Sequence, residues 1–452
     1  MLMAQNDGHK IKIKVEGIKD TVCYLAGYFG KKQYYKDTSR FDSKGVCVFQ
    51  GNQPMPGGIY SVILPNNNYF EFIINEQEFY LETDTNNLVE NMKVKGSLEN
   101  ELFYSHFKLV ASIQKEAATR EKKLVTLKEQ EKTDSVKVVR KRLGEINKEL
   151  DNFKLKIIDE HPNTLLSKIF KGMRDPKVPA PPKDENGKVL DSLFQYKYYR
   201  KHYWDNIDFS NDNILRTPIY HNRLMQYMKK VIPQLPDSIN AGLDDLLDKA
   251  QANDEIFKYT LGKAIYTFET SKIMGMDAVF VHLAEKYYMT NRAHWVDSVQ
   301  LYKISERVRS IKPILIGKQA PPIYHVKDKN GQLIPLYSVD SEFLMLIFWD
   351  PDCGHCKKEM PKLKAIYDKY KNKGLQVYTV CTEVEKDKWL KYIEEKQYDW
   401  INVADFELRS PFRELYDISS TPKVFLLDKN KKIIAKHINH EQLDMILERK
   451  LK

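Results

Sequence analysis

The hydrophobic periodicity of this chain changes twice along its 452 residues, and this pattern constrains the fold more than any other sequence feature. Apolar and polar side chains alternate between residues 9 and 96, as half-buried strands require. The spacing becomes helical between 97 and 312. Short apolar runs and helical stretches then alternate over 313–452, which favours an α/β sheet. We therefore predict a multidomain protein: an N-terminal antiparallel β-domain, a central, mostly α-helical region and a C-terminal α/β domain.

The first segment contains six strand candidates, separated by turn sequences rich in Gly, Asn and Asp. They are Ile11–Val15, Thr21–Tyr28, Val46–Gln50, Gly58–Leu64, Tyr69–Ile74 and Phe79–Thr83. Cys23 and Cys47 both fall on these strands. They are either two free core thiols or the partners of a disulfide, and both interpretations are open.

A helical hairpin is predicted between residues 97 and 160. Apolar side chains repeat at alternating spacings of four and three from Val139 to Ile157, and Thr133-Asp134-Ser135 interrupts the pattern and offers an N-cap. This apolar seam serves internal packing or joins a second copy in a homodimer. A proline-rich connector, 174–182, then precedes six further helix candidates. These are Leu193–Tyr203, Ile219–Val231, Ile239–Ala250, Ile256–Met274, Met276–Tyr288 and Trp295–Val308.

Composition excludes several classes of protein. The net charge of +10 is spread over interspersed acidic and basic residues, which indicates a solvated basic surface and no nucleic-acid partner. The chain contains no run of about 18 apolar residues, so no transmembrane segment is predicted. Five cysteines are too few for a disulfide-stapled scaffold and instead indicate one special site.

The last third of the chain holds strand and helix candidates in alternation. The predicted strands are Ile323–Val326, Phe343–Phe348, Leu375–Cys381, Lys423–Asp428 and Ile433–Lys436. The predicted helices are Cys356–Lys371, Glu385–Lys396 and Pro411–Tyr416. Phe343–Phe348 is apolar throughout, which is typical of a central strand covered on both faces.

Cys353 and Cys356 lie where the central strand gives way to a helix. A thiol at a helix start lies beside unpaired N–H groups and the positive end of the helix dipole, and both stabilise the nucleophilic thiolate. Two intervening residues let the second sulfur reach the first. We therefore predict that Cys353 attacks a substrate disulfide and that Cys356 resolves the mixed disulfide. The competing hypothesis, half of a zinc site, lacks a second ligand pair at a suitable spacing, so we expect neither metal nor cofactor.

Residues 316–452 resemble the thioredoxin fold, and most closely the TlpA/ResA-like thiol–disulfide oxidoreductases of the bacterial cell envelope. The resemblance rests on several motifs in the expected order. They are Gly317-Lys318-Gln319-Ala320-Pro321, Asp328-Lys329-Asn330-Gly331, Phe348-Trp349, Cys353-Gly354-His355-Cys356, Pro361 and Thr421-Pro422. The upstream part resembles the β-domain and helical region of unknown function that often precede such domains.

The resemblance implies roles for further residues. Glu359, one helical turn after Cys356, would relay protons to the buried cysteine, although an ordinary surface glutamate is the alternative. His355, between the cysteines, would tune the redox couple. Thr421 and Pro422 would be joined by a cis peptide bond and, with Trp349, would dock an extended substrate. Asp350 stands where thiol peroxidases of this fold carry threonine, which favours disulfide exchange over peroxidase activity.

These observations predict a thiol–disulfide oxidoreductase that acts on protein clients in the periplasm or cell envelope. An upstream redox partner would restore its cysteine pair after each exchange. The alternative is a binding or scaffold protein whose thioredoxin-like domain docks partners without turnover. Met1–Gln5 is consistent with the remainder of a removed export signal or with a cytosolic start, and the resemblance favours export.

Overall fold

The computed structural model describes residues 8–451, so Met1–Gln5 lies outside the described residues. The N-terminal segment forms two four-stranded sheets, ordered β4-β1-β7-β8 and β3-β2-β5-β6. Their strands are β1 (His9–Glu16), β2 (Val22–Phe29), β3 (Lys32–Arg40), β4 (Val46–Gly51), β5 (Gly58–Ile63), β6 (Tyr69–Ile74), β7 (Glu78–Asp84) and β8 (Lys93–Lys95). Every pairing is antiparallel except β1 with β7, which is parallel.

Alternating burial builds the core of these sheets. Ile11, Ile13 and Val15 of β1 are fully buried, whereas the residues between them are more exposed. Cys23 and Cys47 are buried, unbridged and carried by different sheets. Sequence analysis missed β3 because this edge strand exposes almost its whole length and therefore carries no apolar alternation.

The helical hairpin is present, as α1 (Leu98–Glu129) and α2 (Thr133–Glu160). Ser97 caps α1 by accepting a hydrogen bond from the Asn100 N–H. The predicted N-cap at Thr133-Asp134-Ser135 is wrong: the cap position is Lys132, which makes no capping side-chain bond, and Thr133 already lies in the helix. Among the seam residues, Val139, Ile146 and Ile157 are buried.

Seven α-helices lie between residues 165 and 311. They are α3 (Leu165–Gly172), α4 (Phe194–His202), α5 (Pro218–Gln226), α6 (Pro236–Ala250), α7 (Asp254–Glu269), α8 (Asp277–Leu283) and α9 (Ser298–Ile311). π-Helical turns extend α5 and α8. Sequence analysis located six of these helices and missed α3.

The C-terminal sheet has the order β11-β10-β9-β12-β13. Its elements are β9 (Phe343–Trp349), α10 (Gly354–Tyr370), β10 (Leu375–Cys381), α11 (Lys386–Glu395), β11 (Ile401–Ala404), α12 (Phe412–Leu415), β12 (Lys423–Asp428), β13 (Ile433–Lys436) and α13 (His440–Lys450). β9 pairs in parallel with β10 and antiparallel with β12. This α/β arrangement is thioredoxin-like, as the sequence motifs implied.

The strand predicted at Ile323–Val326 is wrong. This segment forms no ladder, although Ile323 and Val326 are fully buried, so its apolar residues pack a core as irregular chain. The sequence analysis also missed β11 and α13. Both faces of β9 are covered, since Leu344, Leu346 and Phe348 belong to one buried cluster while its alternate residues belong to another.

The chain divides into two compact units. The first comprises 1–232 and 246–257, and the second comprises 233–245 and 258–452. Helices α8 and α9 therefore group with the C-terminal sheet, although their sequence lies before the predicted boundary at 312. No helix among residues 8–451 has the length and apolarity needed to cross a membrane.

Candidate active site

Strand β9 and helix α10 set the two cysteines at different depths. β9 ends at Trp349, and Cys353 occupies the N-cap position of α10. Cys353 is half-buried, whereas Cys356, inside the first helical turn, is fully buried. The two thiols therefore differ in access to an incoming sulfur.

The Cys353 thiol lies at the mouth of the turn and contacts Thr421, donating a hydrogen bond to the Thr421 carbonyl oxygen at 3.3 Å. Burial raises the pKa of this thiol, but hydrogen bonding by the Thr421 side chain and by the backbone N–H groups of Cys356 and His355 outweighs burial and lowers the pKa below its ordinary value. Thr421 and the helix start together therefore favour the thiolate at Cys353.

Cys356 lies in an apolar environment. Its sulfur accepts a hydrogen bond from the Asp350 N–H at 3.4 Å. Burial raises the pKa of the Cys356 thiol to about 12. The side chain belongs to the buried cluster that also holds Trp349 and Met360. Cys356 is therefore a protonated thiol in the reduced protein at neutral pH, and it needs a proton acceptor before it can attack.

Of the three predicted docking residues, Thr421 lies beside Cys353. The Thr421–Pro422 peptide bond is cis, as the resemblance implied, and both residues are half-buried. Trp349 is different, because its side chain is fully buried and its ring packs on Tyr392 at a centroid distance of 5.2 Å. The prediction that Trp349 docks substrate is wrong, since its alternation along β9 directs it into the core beneath the site.

The charges around the cysteine loop are mostly paired. Asp352, next to Cys353, contacts Lys388 at 3.1 Å and Lys357 at 4.0 Å, which offsets its negative charge. The His355 side chain is exposed, and this residue reaches the Cys353 sulfur through its backbone N–H. Redox tuning by the imidazole stays a prediction.

Glu359 is hydrogen-bonded to His440, which the sequence did not predict. Its Oε1 atom lies 2.5 Å from Nδ1 of His440 and accepts a hydrogen bond from the His440 N–H at 3.3 Å. Its Oε2 atom lies 3.3 Å from the Lys362 ammonium. The Asn439-His440-Glu441-Gln442 sequence carries a helix-start signature that could have located α13, but no local pattern links it to a residue 81 positions away.

A cluster of charged residues adjoins the Thr421-Pro422 segment. Asp417 accepts from Arg307 of α9 at 2.7 Å and from Lys423, the residue after Pro422, at 3.2 Å. Lys436 of β13, with an exposed side-chain fraction of 3%, is paired with Asp277 of α8. Nothing in the local sequence marked these residues, because each pair joins distant segments. Across residues 8–451, no group of three or more His, Cys, Asp or Glu side chains is arranged to hold a metal ion.

Comparisons with known proteins agree with this geometry. Residues 316–436 match the AhpC/TSA family, whereas 9–103 and 160–312 match two domains of unknown function, DUF4369 and DUF5106. Thiol-disulfide oxidoreductase ResA of Bacillus cereus is 31% identical over 137 residues, which are 30% of this chain and 78% of that relative. The chain belongs to the ResA family of thiol–disulfide oxidoreductases.

Further relatives cover the same C-terminal part. ResA of Bacillus thuringiensis subsp. konkukian is 34% identical over 137 residues, covering 30% of this chain and 77% of that relative. The crystal structure of a domain of a possible thiol-disulfide isomerase from Cytophaga hutchinsonii is 42% identical, covers 30% of this chain and 94% of that chain, and has a TM-score of 0.29. The AhpC/TSA match and the ResA relatives show that the C-terminal part of this protein is a thioredoxin-like oxidoreductase domain, which follows two regions of unknown function.

Proposed function

We propose that this protein exchanges disulfides with protein clients through Cys353-Gly354-His355-Cys356. The observation that carries this proposal is the contrast between the two thiols. Cys353 is accessible and has a lowered pKa, whereas Cys356 is buried and has a raised pKa. An attacking thiol needs access and thiolate character, while a resolving thiol must stay unreactive until a mixed disulfide forms.

The exchange balances in two steps. The Cys353 thiolate attacks a client disulfide, so a Cys353–client S–S bond forms and one client sulfur leaves as a thiolate. Cys356 then loses its proton and attacks the Cys353 sulfur, which closes the internal disulfide and releases the second client thiolate. The client gains two electrons and the protein dithiol loses two. The reverse sequence oxidises a client dithiol.

Residues around the cysteines support this exchange. The Thr421 carbonyl, 3.3 Å from the Cys353 sulfur, lies where the backbone of an extended client segment would pair, with Pro422 beside it. Glu359 is the acid/base group of the resolving step, and His355 tunes the couple. We further propose a location outside the cytoplasm, since protein disulfides persist there, and an upstream redox partner that restores the dithiol.

A thiol titration separates this function from a scaffold that only docks partners. The full-length protein is equilibrated in glutathione buffers of stated ratio and its free thiols are counted. Exchange predicts a reversible two-electron couple confined to Cys353 and Cys356. A protein whose two thiols never oxidise reversibly would contradict the proposal.

A trapping experiment then tests the roles of the two cysteines. We expect Cys356→Ser to accumulate a mixed disulfide with a synthetic peptide that carries one disulfide, because the resolving thiol is gone. The matched control is Cys353→Ser. Equal trapping by the control would show that the assigned roles are wrong.

A further inference from the structure

Glu359 and His440 form a close pair at the junction of α10 and α13. The side chains are partly buried, with exposed fractions of 21% for Glu359 and 25% for His440. His440 is the first residue of α13, and Asn439 before it caps the helix through a reciprocal capping box. Glu359 therefore receives both the imidazole and the backbone N–H of His440 from the positive end of a helix.

This arrangement changes what Glu359 can do by itself. Burial raises the pKa of the Glu359 carboxyl, but the hydrogen bonds from His440 and Lys362 outweigh burial and hold the pKa below its ordinary value. A carboxylate kept ionised by donors is a weak base toward a thiol. Held by these donors, Glu359 is a weak base toward the Cys356 thiol, whose pKa is raised to about 12, so uptake of the thiol proton is favoured only when that proton can pass on to another group.

The geometry also fixes the protonation pattern of the pair. An ionised carboxylate accepts hydrogen bonds only, so Nδ1 of His440 carries the hydrogen that points to Glu359. Nε2 is then the nitrogen that gains or loses a proton. The other charged groups facing the pair are Lys362, which contacts Glu359 from α10, and Glu441, whose Oε1 lies 3.9 Å from Nε2. Further along the interface, Lys369 and Asp444 neutralise each other at 2.7 Å.

We propose that Glu359 and His440 act as one proton-exchange dyad for Cys356, in which His440 orients Glu359 and carries the proton onward. This inference rests on the proposed function. Cys356 and Glu359 are three residues apart on one helix, so their Cβ atoms lie about 5–6 Å apart on the same face. In the resolving step the Cys356 proton passes to the dyad, the Cys353–Cys356 bond forms and the client sulfur leaves as a thiolate. The dyad then releases its proton to water through the partly exposed imidazole.

The test isolates the resolving step in the full-length protein. The reduced protein is mixed with excess oxidised glutathione, quenched in acid at intervals and weighed by mass spectrometry. The glutathione adduct at Cys353 forms and then decays as Cys356 attacks, and the decay rate is measured from pH 5 to 9. A carboxylate–imidazole dyad predicts an ionisation in this profile that depends on both residues.

We expect His440→Asn to remove this ionisation and to slow adduct decay at pH 7 about tenfold, below the 10²-fold effect of a complete acid–base group. Glu359→Gln should give the same profile, and the double variant should be no slower than either single variant, because the two residues act as one unit. The matched control is His202→Asn, since His202 of α4 is similarly exposed and contacts Asp205 at 2.6 Å. This control should keep the wild-type profile.

Two outcomes overturn the dyad. One is a wild-type pH profile in His440→Asn, and the other is a double variant whose losses multiply. Urea unfolding of each variant accompanies the kinetics, and a stability loss without a change in the pH profile also counts against the dyad. If no glutathione adduct forms in the wild-type protein, the disulfide-exchange function itself fails. This result can be distinguished from failure of the dyad alone, in which the adduct forms and decays but the pH profile of its decay does not depend on His440.

Discussion

At the scale of single residues, Cys353 and Cys356 differ in burial because they occupy different positions within one helical turn. Cys353 caps α10 and receives backbone N–H groups, while Cys356 lies three residues later on the buried face. The helix start predicted which thiol attacks, and the resemblance implied that the second cysteine is buried. The partner of Glu359 could not be predicted in this way, since His440 reaches it only after the chain has crossed the sheet.

The pKa directions predict unequal alkylation of the two thiols. With the reduced protein and iodoacetamide, Cys353 should react at a lower pH than an ordinary thiol, because its lowered pKa keeps more thiolate present. Cys356 should stay unmodified until the protein unfolds. Peptide mapping after timed quenching measures both rates, and faster labelling of Cys356 than of Cys353 would contradict the assignment.

At the scale of elements, burial decided which predictions succeeded. The predicted bounds of β9 and β10 agree with the structure to within one residue, because both strands are apolar along most of their length. β3 was missed because it is an exposed edge strand, and Ile323–Val326 was wrongly predicted as a strand because buried irregular chain carries the same apolar signal. Helix α13 was missed although its capping box was legible. This helix contributes to the site because its first residue, His440, hydrogen-bonds Glu359.

The N-cap of α13, Asn439, gives a testable prediction at this scale. Asn439→Ala removes the side-chain bond to the Gln442 N–H and should lower the free energy of unfolding by about 1 kcal/mol. It should also shift the pH profile of the resolving step, because the cap orients His440. Asp297→Ala, which removes the comparable cap of α9, should cost a similar amount and leave the profile unchanged. Urea unfolding and adduct-decay kinetics measure the two effects.

At the scale of the whole molecule, ion pairs join helices upstream of the ResA-like domain to that domain. Arg307 of α9 pairs with Asp417, and Asp277 of α8 pairs with the buried Lys436. Burial lowers the pKa of Lys436, and Asp277 offsets part of that effect. The second compact unit accordingly includes both helices. The boundary predicted at 312 follows the change in periodicity, whereas the compact unit follows these contacts.

Removing one partner of the buried pair should destabilise this unit. Asp277→Asn leaves the Lys436 ammonium without its counter-charge, at a cost of about 3 kcal/mol in the free energy of unfolding. Adding Lys436→Met should recover most of that loss, because the uncompensated charge is gone. Denaturant unfolding of the full chain measures both variants, and a double variant as unstable as Asp277→Asn would refute the explanation.

The sequence by itself determined the features that depend on neighbours in the chain. These are the order of β and helical segments, the strand that leads into Cys353, and the unequal placement of two thiols within one helical turn. Tertiary structure alone decided the partners drawn from distant segments: Thr421 beside Cys353, His440 against Glu359, and Asp277 opposite Lys436. The physical reason is that periodicity and helix ends are local properties of the backbone. The charge and proton chemistry of a buried group depends instead on whichever atoms the fold brings within a few ångströms.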